Sequence, residues 1–218
     1  KGTRIFKSHS PMKMGNMRLF KQIIKIIHNM ENKVFEHVML DLETMGNKSN
    51  AALISLGAVE FDIDTGETGR EFYSRIDLQS CLDRGLVINA STLYWWLTQN
   101  RQAQEEIAKG GDDLAAVLEG FRFWLHGTVK GVKLWGNSTR FDVGLLEDAY
   151  VACDYKEMPW KFRDERDLRT LVAFAPEIKM KIVQERKLTK SIEHHPIFDC
   201  KTQIAYASEI WNKLKTNG

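Results

Sequence analysis

The chain has 218 residues, 43% of them hydrophobic, with 31 Lys and Arg set against 29 Asp and Glu for a formal net charge of +2. That is apolar material for the core of one domain of ordinary size, and a charge so near balance excludes any argument for nucleic-acid binding from bulk charge. No run approaches the roughly 18 apolar residues of a membrane span, and three widely spaced cysteines, Cys81, Cys153 and Cys200, argue against a disulfide framework or a structural zinc site, so a reduced, cytoplasmic home is expected.

Residues 1–36 read as a basic amino-terminal extension of unknown role, with Leu19 to His28 as a short amphipathic helix. The domain proper is expected over 37–214. His37 to Glu43 reads as a buried first strand and Ala51 to Asp62, rich in Leu, Ile, Val and Phe, as a second. Between it and a third strand at Glu71 to Ile76 lies the turn Asp64-Thr65-Gly66-Glu67, where glycine is free to take a positive φ. Helices are predicted from Ser91, a capping type, to Asn100, and from Asp112 to about His126. A short strand, Val132 to Trp135, precedes a helix over Phe141 to Cys153, whose positions Phe141, Leu145, Leu146, Ala149 and Tyr150 share an apolar face. Phe162 to Arg166 is a candidate last strand feeding a helix from Asp167 to Phe174. Lys179 to Lys190, with five basic residues against Glu185 alone, reads as a solvated loop that could also lie along a phosphate backbone. Pro196 opens a final helix that buries Ile197, Cys200, Ile204, Ala207, Trp211 and Leu214. This order predicts an α/β architecture, a mixed central sheet of about five strands covered by helices.

Chemistry enters at Asp41-Leu42-Glu43, where the first strand ends. Side chains two residues apart leave a strand on the same face, so both carboxylates project together, and like charges held that close call for a cation. Magnesium or manganese suits carboxylate oxygens, and phosphate esters are the usual substrates of such sites. Asp142 follows Asn137-Ser138-Thr139-Arg140-Phe141 directly after a strand, where it opens a helix and meets the favourable end of the helix dipole. The third element is His194-His195-Pro196-Ile197-Phe198-Asp199. Here Pro196 sets Asp199 in the first turn of the last helix and leaves His194 on the approach, able to take a proton from water. Each element alone is compatible with surface charge, an ordinary helix start or a structural histidine.

Together, and in this order, the residues resemble the DEDDh (DnaQ-like) subgroup of the DEDD superfamily of 3′-to-5′ exonucleases. Asp41 and Glu43 match its first motif, Asp142 within Asn-x-x-x-Phe-Asp the second, and His194 with Asp199 the third, His-x-Ala-x-x-Asp, with Pro196 in place of the small residue. The likeness runs from about Val38 to Leu214. Asp41-Leu42-Glu43-Thr44-Met45-Gly46, Ser91-Thr92-Leu93-Tyr94-Trp95-Trp96 and Arg166-Asp167-Leu168-Arg169-Thr170-Leu171 resemble a narrower branch, that of phage exonuclease A-like and mycobacterial exoribonuclease-like enzymes, whose members degrade DNA or RNA. Similar modules in prophage recombination exonucleases are fused to other domains, which would accommodate the leading segment.

The resemblance implies an RNase H-like fold and a 3′-to-5′ exonuclease that hydrolyses phosphodiester bonds at single-stranded 3′ ends by a two-metal mechanism, releasing nucleoside 5′-monophosphates. Asp41, Glu43, Asp142 and Asp199 would bind two Mg2+ or Mn2+ ions, with Asp41 bridging both, and His194 would be the general base. The backbone at Thr44 and Met45 and the side chain of Phe141 would hold the terminal sugar and base. Of Trp95 and Trp96, one would stack on the strand end and the other pack in the core. Two rival readings stay open: a fold that grips 3′ ends without cutting, and an RNase H-like endonuclease. A zinc hydrolase built on His194, His195 and Cys200 is set aside because the spacing matches no zinc motif. DNA versus RNA, and pairing of the chain as a homodimer, are open as well.

Overall fold

A computed structural model describes residues 35–128, 131–188 and 194–216. The helix predicted at Leu19 to His28 lies outside the described residues. Strand β1 (His37–Thr44) carries the run Val38-Met39-Leu40, buried on both faces as a central strand requires. It pairs antiparallel with β2 (Leu53–Phe61), buried throughout, and β2 pairs antiparallel with β3 (Thr68–Arg75), which starts earlier than predicted. The reversal between β2 and β3 is closed by Asp62, whose carboxylate accepts from the amides of Asp64 and Thr65, and by Gly66 at φ 71°. β4 (Lys133–Gly136) runs parallel to the other edge of β1, and β5 (Glu165–Asp167) runs parallel to β4. The sheet order β3-β2-β1-β4-β5 is the mixed five-stranded sheet that the element order predicts.

Helices cover both faces. To the first belong α1 (Leu78–Leu82), α2 (Ala90–Leu97), α3 (Arg101–Ala108), α4 (Leu114–His126) and α5 (Gly144–Ala152), where Leu118, Phe121, Leu146 and Tyr150 share one core with Val38, Leu40 and Leu42. To the second belong α6 (Leu168–Val172), α7 (Pro176–Leu188) and α8 (Pro196–Thr216), where Ile197, Cys200, Ile204 and Ile210 share another core with Met39, Val59 and Phe61. Each fully buried side chain of this size contributes about 1.5–3 kcal/mol. Strand alternation then assigns Asp41 and Glu43 to the face of Met39, beneath α8.

Several boundaries differ from the predicted ones for local reasons. Asn89, not Ser91, caps α2, its Oδ1 accepting from the Ser91 amide at 2.9 Å. Asp113, not Asp112, caps α4, because the backbone of Asp112 is held in a bridge to Ile76. The helix predicted from Phe141 begins as a π-helical turn, Thr139–Val143, and continues as α5. The strand predicted at Phe162 to Arg166 shortens to β5, since Phe162–Asp164 forms a 3-10 turn with Phe162 exposed. Helices α1, α3 and α7 are absent from the prediction. The first is too short to show a period and the second is mostly polar. The third hides the buried pair Ile178 and Ile182, one turn apart, partly within the basic segment read as a loop. No helix among the described residues is long and apolar enough to cross a membrane.

Candidate active site

The site forms where β1 meets the start of α8. Asp41 faces Gly57 across the β1–β2 ladder, and a Cβ added at Gly57 would lie 2.4 Å from the Pro196 Cβ. Only glycine lets the amino-terminal end of α8 rest on the sheet at this point. That contact carries Asp199, in the first turn of α8, over the acidic end of β1. One ligand atom each from Glu43, His194 and Asp199 then lie within 4.8 Å of one another. His194 takes a left-handed backbone conformation, φ 60°, as the chain enters the helix, a geometry that costs a non-glycine residue about 1–3 kcal/mol and recurs at functional sites. Its ring meets Trp95 and Trp96 edge-on, with centroids at 5.0 and 5.8 Å.

Asp142 closes the site from the other side. β4 ends at Gly136, where an added Cβ would stand 3.0 Å from the Asp142 Cβ. The π-helical turn that follows leaves Asp142 only 3% exposed, its carboxylate accepting from the amide of Ser138 at 3.0 Å and from that of Leu42, the residue between Asp41 and Glu43. Asp41 is oriented from α8, where Gln203 Nε2 donates to its Oδ1 at 2.7 Å. Four carboxylates from three segments far apart in sequence thus converge.

Their charges conflict. Burial, then the charges of Asp142, Glu43 and Asp199, raise the Asp41 pKa well above the usual carboxylate range, against the hydrogen bond from Gln203. Burial, Asp199 and Asp142 push Glu43 up to about 8. Burial lifts Asp142 to about 6, although the Ser138 and Leu42 amides and the Arg169 charge oppose it. A divalent cation would relieve all three, and a donor set of carboxylate oxygens fits a hard ion such as Mg2+ or Mn2+. The zinc set of His194, His195 and Cys200 is not brought together. Cys200 Sγ turns into the sheet against the carbonyls of Met39 and Gly57, at 3.4 and 3.7 Å, where burial pushes its thiol pKa up. His195 stacks on Tyr73 instead, at 4.6 Å.

Residues 36–211 match the family model described as the 3′-5′ exoribonuclease Rv2179c-like domain. The chain belongs to this family. The exodeoxyribonuclease of Enterobacteria phage T4 is 25% identical to this chain over 193 residues, a match covering 76% of this chain and 85% of the relative. Among solved structures, E. coli exonuclease I in complex with a dA16 oligonucleotide superposes with a TM-score of 0.57 at 18% identity, over 83% of this chain and 43% of that one. A full-length 3′-exonuclease superposes with a TM-score of 0.56 at 10% identity, over 83% and 84%. The chain therefore spans well under half of exonuclease I. These likenesses carry the fold, which is RNase H-like, and the family is that of DEDDh exonucleases.

The residues expected to hold substrate separate into two groups in this Rv2179c-like domain. Trp96 is buried, 3% exposed, and its indole N–H donates to the Thr44 carbonyl at 2.9 Å, whereas Trp95 is 44% exposed. Thr44 is buried, with Oγ1 donating to the Gly46 carbonyl at 2.6 Å. Met45 is buried too, and its amide already donates to the Ala52 carbonyl while its own carbonyl accepts from Asn89, so no Met45 N–H remains for a sugar. Phe141 is half-buried at a cleft between the β1–β2 loop and α6. Sequence reasoning missed Gln203 and Gly57. The signal for the first is its place one turn beyond Asp199, and for the second a lone glycine inside an apolar strand.

Proposed function

We propose that this domain hydrolyses the phosphodiester bonds of single-stranded DNA or RNA from the 3′ end by a two-metal mechanism, releasing nucleoside 5′-monophosphates. The observation that carries the reading is the approach of Glu43, His194 and Asp199 to within 4.8 Å of one another beside Asp41 and Asp142. Asp41, Glu43, Asp142 and Asp199 would hold two Mg2+ or Mn2+ ions. A bound ion supplies Lewis acidity, making a water acidic enough to attack and neutralising charge on the phosphate.

The chain's own residues do the rest. His194 takes the proton of the attacking water on a ring nitrogen, and the Trp95 and Trp96 edges hold that ring at the acidic cluster. Gln203 keeps Asp41 in one orientation, and the Ser138 and Leu42 amides do the same for Asp142. Exposed Trp95 and half-buried Phe141 offer aromatic faces on which terminal bases stack irrespective of sequence. The family description names RNA, and the T4 relative is an exodeoxyribonuclease, which together support a site tolerant of either sugar. That relative also supports a phage or prophage origin, and reduced cysteines a cytoplasmic location. Residues 1–36 stand as an extension to a catalytic domain over 37–214.

A test uses 5′-labelled single-stranded DNA and RNA of one sequence, with free or blocked 3′ ends, in Mg2+ and in Mn2+. Stepwise shortening from free ends, stalling on blocked ends and loss of both with Asp41→Asn are expected. Internal cuts in blocked strands would move the reading to an endonuclease, and binding without metal-dependent release to an end-binding module.

A further inference from the structure

We infer that the body of the substrate strand leaves the acidic centre past Asp142, along a cleft in which Lys48, Arg140 and Arg169 hold its phosphates. The inference rests on the exonuclease reading and adds the strand's path to it. The cleft has a volume of about 650 Å3, within the range of roughly 300–1,000 Å3 that encloses a small ligand. Its cations come from three separate places, the β1–β2 loop, the π-helical turn and α6. All three are exposed, and among the described residues none is within ion-pair distance of a carboxylate. Elsewhere on the surface Arg70, Arg84, Lys133, Lys213 and Lys215 each have an acidic partner. Two acids also line the cleft, Glu147 and Asp148. Asp148 is engaged by the Asn50 amide at 3.2 Å, a bond that ties down the loop carrying Lys48.

Direction follows from the geometry of displacement. In-line attack places the entering water and the departing 3′-oxygen on opposite sides of phosphorus. The water belongs on the side of His194, which groups with Glu43 and Asp199. Pro196, next to the His194 turn, rests on Gly57 of β2, whereas Asp142 packs on Gly136 of β4, across β1 from it. The departing oxygen therefore faces Asp142, and in a 3′-to-5′ exonuclease that oxygen belongs to the strand that remains. Ser138, whose amide holds Asp142, and Phe141, its chain neighbour, both line the cleft, so the path begins where the departing oxygen lies. The Arg169 charge also reaches the Asp142 carboxylate. Phosphate contacts of this kind carry no information about base or sugar.

The experiment measures binding of 5′-fluorescein dT12 and U12 by anisotropy in Ca2+, over a range of NaCl, for the wild type and for Lys48→Ala, Arg140→Ala, Arg169→Ala and the triple variant. Each single substitution should weaken both oligonucleotides about 3–10-fold and lower the slope of log K against log salt by about 0.7, the value for one single-strand phosphate contact. Arg140→Lys should restore most of the slope, and Lys215→Ala should leave affinity and slope at wild-type values. A wild type that releases no nucleotide from either polymer in Mg2+ would overturn the exonuclease reading. Nucleotide release by the wild type, with unchanged affinity and slope in the triple variant, would overturn the strand path alone.

Discussion

Glu43→Gln should stabilise the protein in the absence of metal while removing its response to divalent ions. Burial, with Asp199 and Asp142 close by, raises the Glu43 pKa from 4.5 to about 8. In the unfolded chain the carboxyl titrates near its ordinary value. Between the two values the folded state keeps a proton that the unfolded state releases, so wild-type stability falls as pH rises through this window. At about 1.36 kcal/mol per pH unit the ceiling is about 5 kcal/mol, and because solvent reaches part of the side chain about 2 kcal/mol is expected. Urea denaturation in EDTA at about pH 8.5 should therefore find the variant more stable by about 2 kcal/mol, with the two proteins converging near pH 4.5. Added Mg2+ should raise the wild-type midpoint and leave that of the variant in place. A variant less stable than the wild type at about pH 8.5 would refute the reasoning, since the carboxylate would then be a net stabilising partner in the empty site.

Other substitutions separate the parts of the site. His194→Ala should lower turnover by roughly two to four orders of magnitude while calorimetry still detects divalent binding; unchanged turnover would move the base to another group. Gly57→Ala forces a contact of 2.4 Å with Pro196, so metal affinity and turnover should both fall, with a stability loss of about 1–3 kcal/mol by denaturation. Trp96→Phe removes the donor to the buried Thr44 carbonyl and should cost about 1–3 kcal/mol of stability. Trp95→Ala should leave stability nearly unchanged and weaken oligonucleotide binding by about 1–3 kcal/mol, read by anisotropy.

The acidic pair was legible because alternation on one strand is local: Asp41 and Glu43 share a face whatever else the chain does. Pro196 likewise marks a helix start without reference to the rest of the fold, and so places Asp199 in the first turn. What stayed hidden depends on distant partners. Gln203 bonds Asp41 across 162 positions, and Gly57 matters only because a helix lies against it. The roles of Trp95 and Trp96 differ although they are neighbours, since a helical period does not decide which of two adjacent aromatics turns inward. The Met45 backbone, expected at the substrate, is used inside the protein because β1 ends in a loop that bonds back to Ala52 and Asn89. The π-helical turn at Thr139–Val143 has no sequence period of its own, yet it buries Asp142 while Phe141 stays half-exposed at the cleft.

The central claim is that four carboxylates and His194 form one metal-dependent centre, and crystals grown with Mn2+ test it most directly. Anomalous scattering should place manganese against Asp41, Glu43, Asp142 and Asp199, with His194 beside it, and the signal should vanish from this position in Asp41→Asn crystals. Manganese bound elsewhere, or carboxylates that stay apart when the ion is present, would contradict the account.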